Sequence, residues 1–126
     1  MSTPYVEELA LISNNNEGIE EIFQLTAEVN GIEQPIDLTG YTFFAQARIS
    51  KLPTSTLICE IGVEIYGDPA DGRLKFTVDE EVMRAVNPVR GHYDLLARSG
   101  PTGIVDSLYM APFRVGGGVT DVSQWV

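Results

Sequence analysis

From residue 19 onward, apolar side chains recur at every second position, and that period constrains the fold more than any other feature of the chain. Along "IEEIFQLTAEVN", Ile19, Phe23, Leu25, Ala27 and Val29 share one parity. Along "YTFFAQARIS", Tyr41, Phe43, Ala45, Ala47 and Ile49 share one parity, opposite Thr42, Gln46, Arg48 and Ser50, and Phe44 breaks the polar side. Leu57, Cys59, Ile61, Val63 and Ile65 alternate in "LICEIGVEIY", and Leu74, Phe76 and Val78 alternate with Arg73, Lys75 and Thr77. Tyr93, Leu95 and Ala97 oppose His92, Asp94 and Arg98, and Val105, Tyr109, Ala111, Phe113 and Val115 extend the pattern. A two-residue period places successive side chains on opposite faces of an extended chain, so each run predicts a strand with one buried face and one wet face.

Turn chemistry separates the runs. "NG" at 30–31, "GDPADG" at 67–72 and "SGPTG" at 99–103 carry the residues that tight turns require, and "KLPTS" at 51–55 reads as a loop. About seven short strands with such punctuation predict an all-β sandwich or barrel. One segment departs from the period. "DEEVMRAVNP" predicts a short helix with Asp79 as N-cap and Glu80 and Glu81 in its first turn. Val82, Met83 and Val86 form its apolar face, and Pro88 stops it. The expected organisation is an N-terminal arm or edge strand over 1–18, a sandwich over 19–115 and a C-terminal tail over 116–126. Within the arm, residues 5–13 are the expected edge strand.

Charge and composition exclude several classes. Eight basic and 18 acidic side chains give a formal net charge of −10. Such a chain repels phosphate backbones and anionic lipid, so neither nucleic acid nor membrane is expected as a partner. No window approaches the roughly 18 apolar residues of a membrane span. The N-terminal segment has no basic n-region and no long apolar stretch, which predicts no signal peptide.

No catalytic constellation emerges. The single cysteine, Cys59, lies within an apolar strand and reads as a core residue. The single histidine, His92, reads as an outward-facing strand residue. "VGGGVT" lacks the lysine and the strand-to-helix context of a phosphate cradle. Asp68 and Asp71 are explained by turn geometry rather than by a calcium loop. No cofactor, metal or enzymatic activity is therefore expected.

Four pieces, in order, carry a resemblance. They are "IEEIFQLTAEVNG", then "QPIDLTGYTFFAQAR", then "DGRLKFTVDEEVMRAV", and finally "RGHYDLLARSG" followed by "DSLYMAPFRVGGGVT". Their order is similar to that of a family of phage virion modules whose N-terminal Ig-like domain is best known from the upper baseplate protein. The resemblance covers roughly residues 19–121 and implies an Ig-like antiparallel sandwich in a non-enzymatic tail or baseplate subunit. Such a subunit assembles with other virion proteins and with copies of itself, in the virion, after synthesis in the host cytoplasm. The long receptor-binder-presenting extension of the upper baseplate protein has no counterpart in this sequence, which points to a free-standing structural subunit. A head decoration or cement protein would use the same fold, and exposed aromatics would also suit a carbohydrate-binding module. The expected subunit-contact residues are Tyr5, Val6, Phe44, Tyr66, Val119, Val122 and Trp125.

Overall fold

The computed structural model describes residues 10–14, 17–86 and 88–116. These form strands β1 (Leu11–Asn14), β2 (Ile19–Gln24), β3 (Thr26–Val29), β4 (Ile32–Pro35), β5 (Tyr41–Arg48) and β6 (Leu57–Ile65). Strand β7 (Arg73–Val78), helix α1 (Glu80–Arg84), β8 (Val89–Ser99) and β9 (Val105–Gly116) follow. Seven strands run in the order β1-β9-β8-β5-β6-β7-β2, and β3 and β4 make a separate hairpin. The adjacency of β5, β8 and β9, and that of β2 and β7, are those of the C–F–G and B–E strands of an Ig-like sandwich. Strand β6 joins the two layers. Its first half pairs with β5 and its second half, from Gly62, pairs with β7. All pairings are antiparallel except that of β1, which lies parallel to β9 at the edge.

The inner faces meet as the alternation predicts. Ala45, Ala47, Cys59, Ile61, Leu74, Phe76, Val78, Tyr93, Leu95, Tyr109, Ala111, Phe113 and Val115 are all buried. Phe76 of one layer meets Tyr93 of the other edge-on, with ring centroids 6.3 Å apart. The Tyr93 and Tyr109 hydroxyls share a hydrogen bond of 2.7 Å inside this core.

Several expectations are corrected. The run 19–29 is not one strand. It breaks at Leu25, whose N–H donates to the Gly72 carbonyl and whose carbonyl accepts from the Ile36 N–H. The chain there leaves β7 and begins the β3–β4 hairpin, so Val29 is exposed. Leu57 and Val105 were expected inside, and both are exposed. Each lies beyond a register shift, between Ala47 and Arg48 on β5 and between Leu95 and Leu96 on β8. One extra residue in the same strand, Ile58 on β6 or Leu108 on β9, inverts the parity beyond it. Leu57 thus pairs with Arg48, and Val105 with Arg98, on the outer face. Tyr41 was expected in the core and is 38% exposed, because it lies at the first position of β5, opposite Ser99 at the end of β8. Ile49 is exposed just past the other end of β5.

The local devices are concrete. Asn30 and Gly31, with φ of 53° and 77°, make the two-residue turn between β3 and β4. Asp37 Oδ1 accepts from the Thr39 hydroxyl at 2.7 Å and from the Thr39 N–H at 3.0 Å. Those two bonds hold the Asp37 carboxyl below its ordinary pKa. Helix α1 is shorter than expected, and Asp79 occupies its N-cap position without a side-chain capping bond. Met83 and Val86 close one end of the core, whereas Val82 is exposed. At Gly91, the third residue of β8, a Cβ would collide with the Arg48 carbonyl and with Ile58, so glycine lets the two strands approach there.

Candidate functional site

Among the described residues, Cys59, His92 and the turn aspartates lie at separate places in the fold. Cys59 is buried on the inner face, where desolvation pushes its thiol up to about 11, so little thiolate exists near neutral pH. His92 is on the outer face of β8, on the other side of that sheet, so the two cannot form a nucleophile and base. Asp68 accepts from the Ala70 N–H and caps a 3₁₀ turn at Pro69–Asp71, and Asp71 pairs with Arg73 at 3.0 Å. Among the described residues, no three His, Cys, Asp or Glu side chains converge to hold a metal ion.

The distinctive surface is the outer face of β5, β8 and β9. Phe44, 63% exposed, lies opposite Leu96, and Val105 and Thr42 border the same depression. Beside it, a shallow groove of about 200 Å³ is lined by Gln46, Arg48, His92, Leu96 and Met110. The β5–β6 loop, with Lys51, Leu52 and Pro53, forms its wall. Arg48 holds this loop close by donating to the Ser55 carbonyl at 2.6 Å and to Gln46 at 3.1 Å. Arg48 and Lys51 give the groove basic side chains and Asp94 an acidic one, while Arg98 lines the apolar depression.

Of the residues expected at subunit contacts, Phe44 lies on this face. Tyr66 lies past the end of β6, on the outer side of the other layer, with the Arg73 guanidinium over its ring at 5.7 Å. The two aromatics are on opposite layers and form no joint stacking platform. Tyr5, Val6, Val119, Val122 and Trp125 lie outside the described residues. Sequence reasoning missed Leu57, Leu96, Val105 and the basic residues as members of the face. Leu96 was legible as an outward apolar residue among His92, Asp94 and Arg98, whereas Leu57 and Val105 depended on bulges.

Comparison with known proteins identifies one family. A model described as the BppU N-terminal domain matches residues 11–97, from β1 to the interior of β8. No curated protein matches the chain.

Proposed function

The chain belongs to the BppU N-terminal domain family, that of the baseplate upper protein, and from this premise we propose that it is a non-enzymatic structural subunit of a phage tail or baseplate. It acts by contacts with neighbouring virion proteins and with copies of itself, and it is assembled in the host cytoplasm. The observation that carries this reading is the family match over residues 11–97, which includes the "PIDLTGY" turn and strand. The surface supports it. Phe44 and Val105 leave large apolar area in water on a flat sheet face, and such patches suit protein contacts. The family favours the tail end of the particle over the head.

The test is location. Gold-labelled antibody against the chain, applied to intact virions, should decorate the tail tip in electron micrographs. Label confined to the capsid would overturn the baseplate reading. Virions made without the gene should lack density at the tail tip, and unaltered tails would count equally against it.

A further inference from the structure

Charge is segregated across the two layers. Arg48, Lys51, Arg90, Arg98 and Arg114 lie on β5, β8, β9 and the β5–β6 loop, and none has a carboxylate partner among the described residues. The other three basic side chains, Arg73, Lys75 and Arg84, are each paired with an acid of the β2, β7 and α1 region. The few free cations of an acidic protein are thus gathered on one layer.

Their arrangement is unfavourable in an isolated copy. Arg90 and Arg114 are direct cross-strand partners on β8 and β9. Like charges placed opposite each other on a sheet destabilise it unless an opposite charge covers them. Asp94 is the acid of the central outer face and makes no ion pair among the described residues.

The complementary arrangement is on the β3–β4 hairpin. Glu28 and Glu33 are direct cross-strand partners there, again with no cation beside them. Thr26 donates to Glu33 at 2.6 Å and fixes one carboxylate on that face. The hairpin is its own two-stranded sheet, and β4 is exposed along its length. Its root is held firmly: Leu25 and Leu38 are buried, and Leu38 N–H donates to the Pro69 carbonyl at 2.9 Å. It projects from the β2–β7 layer, whereas the arginines face outward from the other layer, so one copy does not satisfy its own charges.

We propose that the basic end of the β5–β8–β9 face, centred on Arg90 and Arg114, docks the acidic β3–β4 hairpin of a second copy of this chain. The contact is head to tail. Each copy then offers one hairpin and one basic face, so it builds a ring where the rotation closes and a string where it does not. Both like-charge pairs are relieved by the same contact. The proposal rests on the reading of the chain as an assembling subunit and names one of its partners.

Charge swapping tests it with the full chain. Wild type, Arg90→Glu/Arg114→Glu and Glu28→Lys/Glu33→Lys are compared by analytical ultracentrifugation at low salt, with far-UV circular dichroism confirming that each is folded. Wild type should self-associate and should dissociate as salt rises from about 50 to 500 mM, where screening shortens to a few ångströms. Each double variant alone should associate about tenfold or more weakly, because like charges now meet in the interface. An equimolar mixture of the two variants should regain association, since the acidic face of one meets the basic hairpin of the other. A wild type that stays monomeric at high concentration and low salt overturns the proposal, and so does a mixture no stronger than its components. Preferential binding of heparin or duplex DNA by the wild type, abolished by Arg90→Glu/Arg114→Glu, would assign the face to a polyanion instead. Variants that lose self-association but still join particles would sink the hairpin contact and leave the assembly reading standing. Wild type that is absent from particles would sink the latter alone.

Discussion

The buried phenol pair offers a quantitative test of how the core is held. Tyr93 is 1% exposed and Tyr109 is 6% exposed, with ring centroids 5.6 Å apart and nearly perpendicular. Their hydroxyls, 2.7 Å apart, are far from water, yet no buried side-chain N or O atom among the described residues lacks a partner. Tyr93→Phe keeps the ring and its packing and removes one hydroxyl. The Tyr109 hydroxyl then loses its bond and stays desolvated, a loss of about 1–3 kcal/mol. For a chain of 126 residues, a central value of about 2 kcal/mol lowers Tm by roughly 6–10 °C. The second variant, Tyr93→Phe/Tyr109→Phe, removes both hydroxyls and leaves two rings of unchanged shape. Its loss should be smaller than the sum of the two single losses, because the shared hydrogen bond is removed only once when both partners go. Urea unfolding of wild type, both single variants and the double variant closes the cycle. A Tyr93→Phe protein as stable as wild type would refute the reasoning, as would a double variant whose loss equals the sum of the singles.

Three further outcomes are expected. Gly72→Ala places a Cβ 2.6 Å from the Leu25 carbonyl at a φ of 70°, so it should cost about 1–3 kcal/mol and speed hydrogen exchange across the hairpin root before the sheets; uniform exchange would contradict that order. Burial raises Cys59 from 9.0 to about 11 and Tyr109 from 10.0 to about 12, so the unfolded chain releases those protons first. Their stabilisation is complete below about pH 9 and is lost as pH rises through roughly 11–12, and a urea midpoint unchanged over that window would refute it. Phe44→Ala removes a side chain that is 63% exposed, so unfolding should shift by no more than about 0.5 kcal/mol while incorporation into particles falls; an unaltered yield in particles would remove Phe44 from the contact surface.

The period-two pattern was sufficient to place the core of β5, β7, β8 and the second half of β9, because a strand's alternation is a local property of extended backbone. The same holds for the Asn30–Gly31 turn and the Asp37–Thr39 bond, whose partners lie within a few residues. The resemblance carried by "QPIDLTGYTFFAQAR" and its companions likewise pointed to the family that the match over 11–97 identifies. Local sequence could not reveal where the pattern changes sign. Leu57 and Val105 face outward because their own strands, β6 and β9, hold one residue more than the neighbouring strand, which only the register shows. Leu25 ends a strand because Gly72 and Ile36, 47 and 11 residues away, take its backbone bonds. The charged surface was equally out of reach. Arg90 and Arg114 are separated along the chain by a full turn and strand, and they become neighbours only because β8 and β9 pair. Composition alone described the protein as acidic, whereas the pairing of its strands gathers its free arginines on one face and its opposed glutamates on a hairpin of the other layer. Net charge is a sum over the sequence, but a field depends on where the charges sit, and only the fold sets that.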